Sequence, residues 1–193
     1  MPHFGFDLDN TLIDYSESCQ IYAYLQGFDH INTLTELRNL LKPSDDNSES
    51  WTKAQSWIYG EGLKYAKLCT DVVEFLDQLK ERRWSISIHS HKTRIGPLRF
   101  GEVRFQDLMS RWIKDSLLPS YVDTNSNLFF YASLELKVLG IQKANLTHYV
   151  DDLPKVFASP NFPRHLRSYL YRSRAPELDW VTTIATFKEI EID

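Results

Sequence analysis

Near the start of the chain stands Asp7-Leu8-Asp9-Asn10-Thr11, directly after the apolar run His3-Phe4-Gly5-Phe6. A short apolar run of this kind predicts a buried strand, so both aspartates are expected where that strand ends. In an open α/β sheet, ligands bind at the carboxyl ends of the strands. Two carboxylates two residues apart can divide a reaction between them, because one can attack while the other moves protons. The competing interpretation is a solvated Asx turn, and the pair alone does not choose between the two.

The composition is typical of a globular protein with one main domain. The chain has 193 residues, of which 42% are hydrophobic and 25% charged, and a formal net charge of −4. This length is enough to bury a sizeable core, and the charge offers no basic surface for nucleic acid or anionic lipid. No apolar run approaches the length of a membrane span, and Cys19 and Cys69 lack metal-type spacing. We therefore expect a cytoplasmic protein with free thiols, no nucleic-acid partner and no association with a membrane.

Strands and helices alternate in the predicted structure from residue 71 onward. Strands are predicted over three core segments and two weaker ones: 84–89, 127–131, 147–150, 168–171 and 180–184. This alternation is the pattern of a doubly wound parallel sheet. The mostly helical residues 15–70 stand between the first strand and this block. The sequence thus predicts an α/β core formed by 1–14 and 71–193, with an inserted helical cap formed by 15–70.

The helix boundaries are predicted from capping residues and glycines. Thr33 is expected to cap a helix that continues to Lys42, with Glu36 completing a capping box. Further caps are assigned to Ser50, Thr70 and Ser133. Glycines are expected to interrupt the helix after Ser50 and to end the helix after Ser133; these are Gly60, Gly62 and Gly140. An amphipathic helix is also predicted over 102–117.

Polar residues follow each of the predicted core strands. Ser90 comes directly after the second strand, Lys137 lies in the first turns of the helix after the third, and Asp151-Asp152 follow the fourth. Because the carboxyl ends of parallel strands meet at one edge of a sheet, these groups are expected to share that edge with the two early aspartates. Taken singly, each has a simpler interpretation as a loop hydroxyl, a solvated lysine or a helix N-cap.

In order, spacing and strand context, the chain resembles the haloacid dehalogenase superfamily of aspartate-nucleophile phosphotransferases. The segments that match its four motifs are Phe6-Asp7-Leu8-Asp9-Asn10-Thr11, Ser90, Lys137 and Val150-Asp151-Asp152. The resemblance covers essentially the whole chain. It implies a Rossmann-like parallel sheet with a small helical cap inserted between the first and second motifs.

The resemblance also implies a role for each motif residue. Asp7 would attack phosphorus and form an aspartyl-phosphate intermediate. Asp9 would protonate the leaving alcohol and then deprotonate the water that cleaves the intermediate. Ser90 and Lys137 would bind the phosphoryl oxygens, and Thr11 is placed with them in the phosphate-binding set.

Mg²⁺ is the cofactor that we expect. Two carboxylates about 4 Å apart repel by roughly 4 kcal/mol at an effective dielectric constant of 20, so such a cluster needs a cation or some of its pKa values rise. An all-oxygen site suits Mg²⁺. By resemblance, Asp7 and Asp151 give carboxylate oxygens and Asp9 its backbone carbonyl. Asp152 either binds the metal directly or contacts a residue that does.

Asp9 indicates the class of reaction. By resemblance, dehalogenase and phosphonate-cleaving members lack an aspartate two residues after the nucleophile, and transport ATPases have threonine there. We therefore expect a Mg²⁺-dependent phosphatase acting on a small phosphorylated metabolite, with a sugar phosphate ahead of a nucleotide. The alternatives are a 5′-nucleotidase-like phosphatase and a non-catalytic phosphate-binding or partner-docking module.

His91, Lys92 and Tyr59 are candidate substrate contacts. The competing interpretation is a solvated loop for His91 and Lys92, and the core of the cap for Tyr59.

Overall fold

The computed structural model describes residues 1–28, 30–42, 48–94, 104–172 and 178–192. The contacts within the chain group it into two compact units. The sheet unit comprises Met1–Leu12, Leu68–Lys92 and Ser116–Asp193, and the helical unit comprises Ile13–Lys67 and Thr93–Asp115. Among the described residues, no helix is both long enough and apolar enough to cross a membrane.

Eight strands are described: β1 (His3–Phe6), β2 (Ile13–Asp14), β3 (Lys67–Leu68), β4 (Ser85–His91), β5 (Leu128–Tyr131), β6 (His148–Asp151), β7 (Arg167–Tyr171) and β8 (Val181–Ile184). Six of them form one sheet in the order β5-β4-β1-β6-β7-β8, and each neighbouring pair is parallel. The other two, β2 and β3, form a two-stranded sheet. The predicted doubly wound parallel sheet is therefore confirmed.

The described helices are α1 (Ser16–Leu25), α2 (Leu34–Leu41), α3 (Glu49–Ile58), α4 (Val72–Glu81), α5 (Phe105–Asp115), α6 (Leu134–Lys143) and α7 (Pro154–Phe157). Short 3₁₀ helices cover Glu61–Tyr65, Leu118–Ser120 and Phe187–Glu189. The contacts group α5 with the helical unit, although the sequence pattern had placed 102–117 with the core. Part of that predicted helix, 102–103, lies outside the described residues.

The strand order reverses beside β1. The chain runs from β1 outward to β4 and β5, and it then returns to place β6 on the other side of β1. Such a reversal opens a crevice at the carboxyl ends of the central strands. Phe6 is in register with both Ile88 and Val150, and the Asp7 amide donates to the Val150 carbonyl at 2.9 Å. The residues that follow β1 and β6 consequently leave the sheet side by side.

Apolar side chains cover both faces of the sheet, as a parallel sheet requires. On one face, Phe4 and Phe6 pack edge-on against Phe75 of α4, with ring centroids 5.3 and 6.2 Å apart. On the other face, a buried cluster surrounds Tyr149. It contains Val138, Ile141, Leu146, Tyr149, Val156, Phe157, Phe162, Leu166 and Leu170.

Two predicted helix features in the helical unit are confirmed and one is wrong. Thr33 caps α2 in a capping box with Glu36, as expected. The predicted interruption near Gly60 is also present, because α3 ends at Ile58 and a 3₁₀ helix follows. The cap of α3 is Ser48, whose hydroxyl accepts from the Trp51 amide at 3.3 Å, and not Ser50, which lies inside the first turn.

Three predictions in the sheet unit are corrected. Asp71, not Thr70, precedes α4 as its N-cap residue, and its carboxylate accepts from the Phe187 amide and the Tyr171 hydroxyl. Gly140 does not end α6 but lies inside the helix. A glycine is needed at this position because a Cβ would overlap the ring of Tyr131. Ser90 belongs to β4, which continues to His91, and is not the first residue of a loop.

Gly5 is required where β1 crosses the Tyr149 cluster. A Cβ at Gly5 would lie 2.5 Å from Leu146 Cδ1 and 2.9 Å from Tyr149 Cδ2. We expect Gly5→Ala to lower the free energy of unfolding by about 1–3 kcal/mol, because the tightly packed core must shift to admit the methyl group. Chemical denaturation measures this. Ser85→Ala at the exposed end of β4 is the control, expected to stay within about 0.5 kcal/mol of wild type. Equal stability of all three proteins would contradict the prediction.

Candidate active site

Lys137 lies at the centre of the group of predicted site residues. Its side chain is fully buried, and its Nζ is 2.5 Å from Asp7 Oδ1 and 2.7 Å from Asp151 Oδ2. The helix start explains this position. Ser133 accepts from the Leu136 amide at 3.2 Å and begins α6 directly after β5, so Lys137 falls in the first turns of the helix. The solvated-lysine interpretation of Lys137 is therefore wrong.

Three carboxylates meet beside this lysine. Asp7, Asp151 and Asp152 each offer an oxygen within 4.8 Å of the others, and we call them the carboxylate cluster. Asp7 and Asp151 are buried and Asp152 is half-buried. The convergence follows from the register of the sheet. Phe6 of β1 is paired with Val150 of β6, and Asp7 and Asp151 are the next residues after this pair.

Both oxygens of Asp151 are held by protein groups in addition to Lys137. The Tyr149 hydroxyl donates to Oδ2 at 2.9 Å, and the Leu153 amide donates to Oδ1 at 2.9 Å. The orientation of the Asp151 carboxylate is thus fixed by groups of the protein itself. The sequence interpretation missed Tyr149, although its spacing of two residues from Asp151 on a strand places both side chains on one face.

Asp9 is paired with a different lysine. Lys92 Nζ lies 2.6 Å from Asp9 Oδ2 and 2.9 Å from Oδ1, and the lysine side chain is only 4% exposed. Lys92 is a candidate substrate contact from the sequence, and the structure shows it in an ion pair with Asp9. The sequence offers no local signal for this pairing, because 83 residues separate the two partners.

The other predicted site residues are placed as follows. Thr11 is buried, and its hydroxyl donates to Asp7 Oδ2 in a long hydrogen bond of 3.5 Å. Ser90 is fully buried, and its hydroxyl has no hydrogen-bond partner among the described residues. His91 is exposed. Tyr59 belongs to the helical unit, where its ring packs edge-on against Tyr15 and Phe105 at 5.2 and 5.9 Å.

Comparison with solved structures identifies the fold. A HAD-superfamily hydrolase of subfamily IA, variant 1, from Geobacter sulfurreducens is similar over 98% of this chain and 94% of its own, with a TM-score of 0.59 and 13% identity. A family IA, variant 3 HAD hydrolase from Entamoeba histolytica is similar over 100% and 96%, with a TM-score of 0.60 and 14% identity. A protein described as a predicted phosphatase, from Clostridium acetobutylicum, is similar over 89% and 84%, with a TM-score of 0.54 and 16% identity.

The fold is that of the haloacid dehalogenase (HAD) superfamily. No family model matches the sequence, and no curated protein matches it in sequence either. At these identities the similarity to the solved structures is one of fold.

Electrostatics distinguish this site from an ordinary strand-end turn. Burial raises the pKa of Asp7 to about 7, with Lys137 opposing the shift and Asp151 and Asp9 adding to it. Burial, followed by the charges of Asp7 and Asp151, raises the pKa of Asp152 well above its usual range. Burial alone would lower the pKa of Lys137, but its two carboxylate partners outweigh burial and raise it. The lysine therefore stays charged, while Asp7 and Asp152 resist ionisation.

The carboxylate cluster fits a divalent cation. When all three members are ionised, Lys137 neutralises one charge and two negative charges remain. The donors are all oxygen, which hard cations such as Mg²⁺ prefer. A cation would neutralise the remaining negative charge, and it would favour the ionised forms of Asp7 and Asp152 against the effect of burial.

Ionisation of Asp7 is expected to weaken the metal-free protein. Its folded pKa of about 7 exceeds the unfolded value of 3.8, so the folded state binds more protons between these limits. The stability due to this group is therefore present at low pH and is lost as pH rises toward about 7. With a chelator present, we expect the Tm of wild type minus the Tm of Asp7→Asn to decrease as the pH is raised from about 5 to about 8. A difference that grows with pH would show that Lys137 outweighs burial at Asp7.

Added Mg²⁺ is expected to raise the Tm of the wild type, because a ligand that binds only the folded state stabilises it. At about one hundred times the dissociation constant, the gain is about 2.7 kcal/mol. Asp152→Asn should reduce the shift, and Asp107→Asn, an exposed aspartate of α5, should not. Titration of Tm against Mg²⁺ concentration measures both. An equal shift in wild type and Asp152→Asn would exclude Asp152 from the metal site.

Proposed function

We propose that this protein is a Mg²⁺-dependent phosphatase that hydrolyses a small phosphorylated metabolite through an aspartyl-phosphate intermediate. The observation that supports this most directly is the buried ion pair of Lys137 with Asp7 inside the carboxylate cluster, with Asp9 two residues along the chain. The similar structures are described as hydrolases or as a phosphatase, which agrees with the proposal.

The first half of the reaction transfers the phosphoryl group to the protein. A carboxylate oxygen of Asp7 attacks phosphorus, and the bond between phosphorus and the alcohol oxygen breaks. Asp9, which first takes up a proton from solvent, gives that proton to the departing oxygen. The ammonium of Lys137 and the hydroxyl of Ser90, which has no partner among the described residues, are suited to bind phosphoryl oxygens.

The second half releases phosphate. Asp9, now a carboxylate, removes a proton from a water molecule that attacks the aspartyl phosphate. The acyl phosphate bond breaks, which regenerates the carboxylate of Asp7 and frees inorganic phosphate. Asp9 regains its proton and is ready for the next substrate.

Bound Mg²⁺ would neutralise the charge on the carboxylate cluster and on the phosphate group. Asp7, Asp151 and Asp152 provide the side-chain oxygens, and the Asp9 carbonyl is the further donor that we assign. The Leu153 and Tyr149 hydrogen bonds orient Asp151 for this purpose.

A sugar phosphate is the substrate class that we favour over a nucleotide. The helical unit, which we assign as the cap that selects the substrate, packs several of its aromatic rings on each other. Tyr59 contacts Tyr15 and Phe105, and Trp57 contacts Tyr22 at 5.6 Å. Rings engaged in this way form a core and are not arranged as a platform for a base. Comparing sugar phosphates with nucleoside monophosphates in a substrate panel tests this preference.

Hydrolysis of p-nitrophenyl phosphate that depends on added Mg²⁺ is the expected basal activity. Asp7→Asn should abolish it because the amide cannot attack phosphorus. Asp9→Asn should lower turnover of an alkyl phosphate by about 10²–10⁴-fold, the usual contribution of general acid–base catalysis. Asp107→Asn, on the exposed surface of α5, should match wild type.

Near-normal turnover by purified Asp7→Asn would disprove the aspartyl-phosphate mechanism. If folded wild-type protein with Mg²⁺ hydrolysed no phosphoester in the panel, the phosphate-binding or partner-docking module would replace the phosphatase as the better proposal. Circular dichroism of each variant establishes that the fold is intact in either case.

A further inference from the structure

We propose that Lys92 is a positioning residue that holds the carboxyl group of Asp9 in place for proton transfer. This inference rests on the proposed phosphatase function. It assigns to Lys92 a role in departure of the leaving group, distinct from the phosphate contact assigned to Lys137 and from the substrate contact expected of Lys92 from sequence.

The geometry of the pair supports this role. Lys92 Nζ reaches both oxygens of Asp9, at 2.6 and 2.9 Å. An ammonium that contacts both oxygens restricts rotation of the carboxyl group as well as its position. The pair is also shielded from water, since the side chains of Lys92 and Asp9 are 4% and 18% exposed. Burial makes the attraction stronger than that of a surface ion pair.

Lys92 is itself fixed by the sheet. Its amide donates to the Tyr131 carbonyl at 3.0 Å, which continues the hydrogen bonding between β4 and β5 beyond the last strand residue. The side chain therefore extends toward Asp9 from a backbone that is hydrogen-bonded to the neighbouring strand. Asp9 lies beyond the end of β1, and the next residue, Asn10, has a left-handed φ of 60°.

Lys92 compensates charge during the proposed cycle. As the phosphorus–oxygen bond breaks, the proton of Asp9 passes to the leaving oxygen and Asp9 becomes a carboxylate beside the Lys92 ammonium. In the second half, that carboxylate takes a proton from water while the water oxygen bonds to phosphorus. Lys92 keeps all its protons throughout, and it acts only through Asp9. Its loss should thus impair the steps in which Asp9 moves a proton.

The test compares two leaving groups. An alkyl phosphate such as glycerol phosphate needs a proton on the departing oxygen, whereas p-nitrophenolate leaves as a stable anion. The parameter kcat/KM reports the steps up to departure of the alcohol. We expect Lys92→Met to lower kcat/KM for glycerol phosphate by about 10–100-fold, as removal of a residue behind a functional group commonly does. The loss for p-nitrophenyl phosphate should be several-fold smaller.

Two further measurements separate positioning from binding. Inorganic phosphate should inhibit Lys92→Met and wild type with the same inhibition constant, because Lys92 does not contact the phosphoryl group. Lys92→Arg should recover most of the activity on glycerol phosphate, since a guanidinium also spans two carboxylate oxygens. Lys143→Met, an exposed lysine at the end of α6, is the matched control and should behave as wild type.

Should Lys92→Met fail to fold, the double variant Asp9→Asn/Lys92→Met removes both charges of the pair. If Lys92 acts through Asp9, this double variant hydrolyses glycerol phosphate as fast as Asp9→Asn alone, because effects on one shared function are not additive. A further loss in the double variant would overturn the proposal.

Different experimental results would overturn the positioning role of Lys92 and the phosphatase mechanism. Equal losses on both esters in Lys92→Met, or a weakened inhibition by inorganic phosphate, would overturn the positioning role and leave the phosphatase proposal standing. Turnover of either ester by Asp7→Asn would instead overturn the phosphatase mechanism itself.

Discussion

A fully buried ammonium group, that of Lys137, is the constraint on which the rest of the site depends. An ammonium removed from water is tolerated only where paired carboxylates replace its hydration. Lys137 obtains two, from Asp7 and Asp151, at 2.5 and 2.7 Å. They reach it because β1 and β6 are parallel neighbours in register and because α6 starts directly after β5. The ion pairs therefore join three separate parts of the chain at one edge of the sheet.

The same ion pairs leave the carboxylate cluster incompletely neutralised. One ammonium faces three carboxylates, and burial raises the pKa of Asp7 to about 7. Such a site retains uncompensated negative charge, which a divalent cation would neutralise. Asp9 stands outside this arrangement, because its carboxylate is paired with Lys92. The chain thus separates the carboxyl group that is assigned to attack from the one that is assigned to move protons.

Local patterns were sufficient to predict the sheet and the meeting of the motif residues. Apolar runs located the strands, and the parallel arrangement of βα units dictates that their carboxyl ends share an edge. Other features depend on the three-dimensional packing and leave no local signal. Gly140 was interpreted as a helix stop, but it lies inside α6 where the Tyr131 ring approaches. Lys92 was interpreted as a substrate contact because it belongs to the basic residues that follow the second core strand, and nothing in the sequence links it to Asp9, 83 residues away.

The charged groups of the candidate site all belong to the sheet unit. Asp7, Asp9, Lys92, Lys137, Asp151 and Asp152 lie within Met1–Leu12, Leu68–Lys92 and Ser116–Asp193. The ion pairs of Lys137 with Asp7 and Asp151, and of Lys92 with Asp9, are therefore formed between residues of the sheet unit. That unit has its own core of packed aromatic rings, including Tyr15, Tyr59 and Phe105. Because these two sets of contacts are separate, substitutions on the surface of the helical unit are compatible with unchanged ion pairs of Lys137 and Lys92.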